Sequence, residues 1–271
     1  MNILVTLDKN YLKHLVVMLY SLLKSNSNVK IDVYVMNSSL TNEDFSYIKN
    51  NINSDMIDVI DIKIDNKMLS YAPITDRYPK EMYYRIFAAK YLPKNIDKII
   101  YLDPDLVIIN SLEKLYNMNL GDYFFAAASH VWGPISLFNK IRLQMEEDIY
   151  INSGVMLMNL KSLRKHQNVK EVYKFIEKNK NYLMLPDQDV ISGLYSSKIL
   201  PLDPYIYNMT EKLFTFKRVN KLHVNLKWIK DNTVVIHYCG RNKPWNKNYK
   251  GKLDRFYLKY QNEVFKKNKV K

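Results

Sequence analysis

The sequence predicts an α/β protein whose sheet is covered by helices on both faces. Three observations carry that expectation: short, nearly continuous apolar runs, helical-period stretches between them, and a 271-residue chain with no internal repeat or low-complexity linker. Apolar strands that do not alternate with polar residues belong to sheets buried on both sides. In chain order, NILVTL (2–7) leads into a helical stretch at about 11–24. IDVYVM (31–36) is followed by one at 41–50, and MIDVIDIKI (56–64) by one at 80–91. KIIYLD (98–103), YFFAAAS (123–129) and SGVMLMN (153–159) come next, with helical stretches at 161–179 and 187–196, and TVVIHY (233–238) is the last strand. In such sheets ligands bind beyond the carboxyl ends of strands, where strand order reverses, so residues just after strands come first. The six glycines form neither G-x-G-x-x-G nor a Walker A sequence, which argues against a dinucleotide site or a P-loop.

Charge separates the chain into two parts. There are 41 Lys+Arg against 27 Asp+Glu, a net charge of +14. Residues 246–271 hold nine basic and two acidic side chains, so half the excess lies beyond a main domain spanning 1–245. In that tail Leu253, Phe256, Tyr257, Tyr260 and Val264 fall on one helical face, with Lys252, Arg255, Lys259 and Lys266 mostly off it. Two readings follow: a basic amphipathic helix lying on an anionic membrane surface, or a helix docking its stripe on the core. No apolar run approaches the roughly 18 residues of a membrane span. Asp8 and Lys9 interrupt what a secretory segment would need to be apolar. The single cysteine, Cys239, excludes an intrachain disulfide framework and suits a reducing cytoplasm.

The candidate chemistry sits where strands end. KIIYL runs into Asp103-Pro104-Asp105, and Pro104 biases Asp103 towards extended backbone. Residues i and i+2 then point the same way, so both carboxylates can meet one Mg²⁺ or Mn²⁺. His237, ending the last strand, is a candidate third ligand that shifts the preference towards Mn²⁺. Taken alone, an Asp-Pro-Asp is commonly a turn and a single histidine commonly a half-buried structural residue. Gly240 would let backbone approach a phosphate, and Lys243 would neutralise one. Asp187-Gln188-Asp189 and Asn152-Ser153-Gly154 offer groups that grip sugar hydroxyls, or equally a helix start and a turn. Asp8, Asn10 and Tyr11 follow the first strand, where Tyr11 would stack on a base or make a first core contact. His14 and His166 read as surface residues, and His130 and His223 have no evident partner.

Taken together and in order, TLDKNYLKHLVVMLYSLLKSN, YYRIFAAKYLPKNIDKIIYLDPDLVI, YINSGVMLMNLKSLR, LPDQDVISGLY and VIHYCGRNKPW resemble glycosyltransferase family 8, which includes bacterial lipopolysaccharide galactosyl- and glucosyltransferases and, more distantly, glycogenin. The resemblance implies a GT-A fold, a Rossmann-like mixed sheet flanked by helices, and a retaining hexosyltransferase using a UDP-sugar and Mn²⁺, with Mg²⁺ the alternative ion. It implies Asp103, Asp105 and His237 as metal ligands, and Asp8, Asn10 and Tyr11 as nucleoside contacts, with Thr6 where the family often has Ala. Arg85 matches a basic position near the donor. Asn152, Asp187 and Gln188 match residues on the transferred sugar, and Gly240 and Lys243 those on the diphosphate. Ser192 stands where the family usually has Asn, and residues 129–149, including Trp132, fit no pattern and lie where an acceptor loop is expected. The implied partners are a UDP-hexose donor and a glycan or lipid-linked acceptor of the cell envelope, met in the cytoplasm or at the inner membrane face. Two other classes compete. A nucleic-acid-binding protein fits the total charge but not the clustered carboxylates, which would repel phosphates, so no nucleic acid is expected. A carboxylate-pair glycoside hydrolase would need neither metal nor nucleotide.

Overall fold

The structure is a computed structural model that describes residues 1–65, 81–219 and 224–267. His223 and the extreme ends of the predicted 80–91 helix and basic tail lie outside the described residues. Among those described, one sheet contains β1 (Asn2–Thr6), β2 (Ile31–Asn37), β3 (Ile57–Lys63), β4 (Lys98–Leu102), β6 (Phe125–Ala128), β7 (Val155–Asn159) and β8 (Ile199–Leu202), in the order β3-β2-β1-β4-β7-β6-β8. A two-stranded sheet pairs β5 (Leu106–Ile108) with β9 (Val235–His237). The four strands β3, β2, β1 and β4 are parallel, whereas β7 runs antiparallel to both β4 and β6. The sheet is therefore mixed. After β1 the chain moves outwards through β2 and β3 and returns on the other side of β1 as β4. That reversal opens a crevice beyond Thr6 and Leu102.

Side chains alternate between two cores, as strand geometry requires. Ile3, Val5, Ile100 and Leu102 face one core, while Leu4, Ile99 and Tyr101 face the other with Tyr83, Tyr84 and Phe87. Helix Leu12–Ser25 is apolar almost all round, its Leu15, Val16, Val17, Met18, Leu19 and Leu22 each fully buried. Such a helix needs cover on two sides. The sheet gives one, and the C-terminal helix Asp254–Lys267 gives the other. Leu253, Tyr257, Tyr260 and Val264 are all buried in this contact, so the stripe of the basic tail is spent on the core, with Phe256 half-buried, while Lys252, Arg255, Lys259 and Lys266 are exposed. Burying four such side chains contributes on the order of several kcal/mol, a large part of a domain's net stability.

Local signals explain most element ends. Helix Asn42–Ile52 starts with a reciprocal Thr41–Asp44 capping box and ends at Asn53 in the left-handed region. The stretch expected as one helix over 161–179 is two, Leu160–His166 and Val169–Asn179, because Asn168 leaves helical geometry to cap the second through Lys170 N. The 80–91 stretch likewise divides into Glu81–Tyr84, a 3-10 turn Arg85–Phe87, and Ala88–Tyr91. Residues 129–149, which matched no pattern, contain helix Pro134–Leu143. Helices Glu113–Tyr116, Pro204–Tyr207, Glu211–Val219 and Leu226–Asn232 complete the layers. No helix among the described residues is long and apolar enough to cross a membrane.

Candidate active site

A cleft of about 710 Å³ opens at the reversal point between β1 and β4, and the residues expected from the resemblance to hold metal, nucleoside, diphosphate and sugar all line it, whereas Asp189 does not. Asp103 N donates to the Gly154 carbonyl at 2.8 Å, so the Asp-Pro-Asp segment leaves the sheet tied to the segment before β7. β5 begins directly after Asp105, and its Leu106 pairs with His237 of β9. That pairing gathers residues far apart in sequence. Asp103, Asp105 and His237 each offer a ligand atom within 4.8 Å of the others. His237 Nε2 lies 3.1 Å from Asp105 Oδ1 and 3.6 Å from Asp103 Oδ2.

The imidazole is held by a chain of amides. His237 Nδ1 donates to Asn208 Oδ1 at 2.9 Å, Asn208 Nδ2 to Asn152 Oδ1 at 2.9 Å, and Asn152 Nδ2 to Gln188 Oε1 at 3.0 Å. In the neutral ring this leaves the Nε2 lone pair facing two carboxylates, an arrangement that a cation resolves. Two carboxylates and one imidazole suit Mn²⁺ or Mg²⁺, so the residues present fit a divalent ion. Packing agrees. A Cβ on residue 154 would lie 2.2 Å from His237 Cε1 and 2.7 Å from Asp103 Oδ2, so only glycine leaves the three ligands their room.

The surrounding charges are arranged around the carboxylates. Arg85 is buried and its guanidinium bridges Asp103 at 3.0 Å and Asp187 at 3.1 Å. Asp103 also accepts from the Tyr101 hydroxyl at 2.6 Å, which in turn receives the Thr6 hydroxyl at 3.0 Å. Burial alone would raise the Asp105 carboxyl, but Lys243 and then His237 outweigh it and hold the group well below the usual carboxylate range. Lys243 Nζ donates to Asp105 Oδ2 and to the Tyr238 carbonyl, so in this structure the lysine stands on the carboxylate rather than out in the cleft. Burial pushes the Asp187 carboxyl up, against Arg85 and the Ser153 hydroxyl, which donates to it at 2.6 Å. Gly240 has φ +82°, a conformation that favours glycine in the loop carrying Lys243. Asp8 accepts from Asn10 N at 2.7 Å and so shapes the turn that presents Asn10 and Tyr11.

Some sequence expectations change here. Asp189 is fully buried: Arg142 grips it through two 2.8 Å contacts, and it accepts from Tyr150 at 2.7 Å and from Met184 N at 2.6 Å. Its carboxylate is taken up by these partners and does not reach the cleft to grip a sugar hydroxyl. His14 is not a surface residue: its ring stacks on Trp245 at 3.5 Å and Nδ1 pairs with the Tyr257 hydroxyl at 2.7 Å. His166 is exposed, as expected, with its ring stacked on Phe124. His130 Nε2 pairs with the Asn208 carbonyl at 2.8 Å. Ser192 accepts from Ile151 N at 3.2 Å, a contact that ties helix Pro186–Tyr195 to the segment before β7. Asn208, Arg142 and Tyr150 carry no sequence signal. Tyr101 does, lying two residues before Asp103 on the same strand face.

Known proteins similar in sequence or shape include some with sugar-transfer names. A lipopolysaccharide 1,2-glucosyltransferase of Escherichia coli K12 is 28% identical over 91% of this chain and 73% of its own length. General stress protein A of Bacillus subtilis is 25% identical over 92% of this chain and 89% of its own. The crystal structure of the galactosyltransferase LgtC, in complex with donor and acceptor sugar analogs, superposes with a TM-score of 0.83 at 23% identity, over 97% of this chain and 96% of that one, and shares the fold. Residues 2–249 match the model of Glycosyl transferase family 8, and the chain belongs to that family.

Proposed function

We propose that the cleft transfers a hexose, galactose or glucose, from a UDP-sugar to a glycan or lipid-linked acceptor of the cell envelope, retaining the anomeric configuration and using Mn²⁺ held by Asp103, Asp105 and His237. The convergence of these three side chains beside Lys243 carries the reading. The names of relatives support the acceptor class: besides the glucosyltransferase above, a lipopolysaccharide 1,3-galactosyltransferase of Salmonella typhimurium is 25% identical over 90% of this chain. Such an acceptor would place the enzyme in the cytoplasm, at the inner face of the membrane.

In this reading Thr6, Asp8, Asn10 and Tyr11 form the nucleoside end of the cleft. Gly240 and Lys243 serve the diphosphate, with Lys243 exchanging Asp105 for a phosphate oxygen. A bound divalent cation supplies Lewis-acid neutralisation of the departing diphosphate. Arg85 orients Asp103 for that ion and fixes Asp187 towards the sugar. Asn152 and Gln188 present amides oriented by the Asn208 chain. A covalent route would need a free carboxylate under the anomeric carbon. Gln188 is neutral, Asp189 is enclosed by its partners, and Asp187 is paired with Arg85. Front-face attack is the better account: the acceptor oxygen bonds to the anomeric carbon as the sugar–phosphate bond breaks, and a leaving phosphate oxygen takes the hydroxyl proton.

UDP should raise the melting temperature only when Mn²⁺ is present, by the equivalent of about 2.7 kcal/mol at a hundredfold excess over Kd. Asp103→Asn and Asp105→Asn should each abolish that shift and the hydrolysis of UDP-glucose or UDP-galactose, while the circular dichroism spectrum is kept. Full activity in either variant would sink the metal assignment.

A further inference from the structure

Helix Pro134–Leu143 is built inside out. Its buried side chains are Ser136, Asn139 and Leu143. The two polar ones are bonded inwards, Ser136 donating to Asp148 and Asn139 Oδ1 accepting from Arg142 at 2.8 Å. Its outer face carries Ile135, Leu137, Phe138 and Ile141, all more than half exposed and Ile141 at 70%. At 100° per residue these four fall within one arc of about 160°. An ordinary surface helix has the reverse arrangement. Trp132, just before the helix, and Tyr182 and Met184 are each half exposed or more. Tyr182 is a neighbour because its carbonyl accepts from Arg142 at 2.6 Å. An apolar surface of this extent marks an interaction site.

Charge selects the occupant. Lys140 lies on the helix, Lys178 donates to Gln144 at its C-terminal end at 3.3 Å, and Lys180 precedes Tyr182 by two residues. Of the acidic residues that follow the helix, Glu146 and Asp148 accept from Ser197 and Ser136, and Glu147 is exposed. A second copy of a chain with net charge +14 would approach against like charge, whereas an anionic bilayer offers the opposite sign. Trp and Tyr beside aliphatic side chains, with lysines around them, match the layering of a membrane interface. We propose that helix Pro134–Leu143, with Trp132, Tyr182 and Met184, is the docking surface for an anionic lipid bilayer. Arg142 on this helix grips Asp189, the neighbour of Gln188 in the cleft, so docking would hold the cleft at the lipid surface. The surface stands independently of the reaction above, since its readout is vesicle binding alone.

Sedimentation with vesicles of phosphatidylglycerol mixed with phosphatidylcholine, against phosphatidylcholine alone, tests this. The unaltered chain should bind the mixed vesicles. The double variant Phe138→Ser, Ile141→Ser should bind them at least about tenfold more weakly, with an unchanged melting temperature because both side chains are already exposed. A variant with Lys252, Lys259 and Lys266 changed to Gln should keep most of the binding. The proposal is overturned if the unaltered chain fails to bind, if the double variant binds equally well, or if only the lysine variant loses binding. It is also overturned if light scattering shows a dimer that the double variant dissolves while vesicles are ignored.

Discussion

Gly154 and Asn208 govern the metal set without belonging to it. A methyl at 154 would press on His237 and Asp103, neither of which can retreat, His237 being tied to Asn208 and Asp103 to Arg85 and Tyr101. Gly154→Ala should therefore cost about 1–3 kcal/mol in urea unfolding and remove Mn²⁺-dependent donor hydrolysis. Asn208→Ala frees the imidazole to rotate and should raise the Mn²⁺ concentration for half-maximal activity by about 10–100-fold. An unchanged metal dependence would show that the amide chain does not orient His237. At this scale the sequence was readable where chemistry follows a strand end, as with Asp103, Asp105 and His237. Asn208 was not, because it lies on no motif and reaches His237 only after β9 is in place.

At the scale of elements, the long apolar strands and the helices between them could be read directly from the sequence, but not the strand order. β5 could not, since three residues after a turn give no periodicity, and β8 carries Pro201 in its run ILPL. Helix Pro134–Leu143 escaped because its pattern is inverted: the apolar positions face outwards, and the residue that anchors it is a buried arginine. Arg142→Ala would leave Asp189 charged and enclosed, at a cost of about 3–5 kcal/mol by thermal or urea unfolding. Tolerance of that change would mean that Tyr150 and the Met184 amide suffice to hold the Asp189 carboxylate. The C-terminal helix was readable as amphipathic but not as to what it faces. Its partner, the all-round apolar helix Leu12–Ser25, lies at the other end of the sequence. Deleting it would strip the core, so lysine exchange is the informative test of its surface.

For the whole molecule, the +14 total says little about the cleft, where Asp103, Asp105 and Asp187 gather around Arg85 and Lys243. The fold's sensitivity to mild acid arises at two histidines. Burial, with Lys13 adding, lowers His14 to about 4, and burial lowers His130 to about 4 despite its bond to Asn208. Below the ordinary value of 6.5 the unfolded chain takes up these protons and the folded one resists, so stability should fall as pH drops from about 6.5 towards 4. Urea midpoints across that range would show the slope, and His14→Phe, which keeps a ring against Trp245, should flatten part of it. The pairing of β5 with β9 also bears on how the protein is made. Leu106 waits for His237, so a chain emerging from the ribosome can fold its first strands early yet cannot assemble the proposed metal set until His237, 132 residues beyond Asp105, has been synthesised. Nascent chains halted before β9 should bind no UDP, however native their first strands, because the site closes only when β9 joins β5.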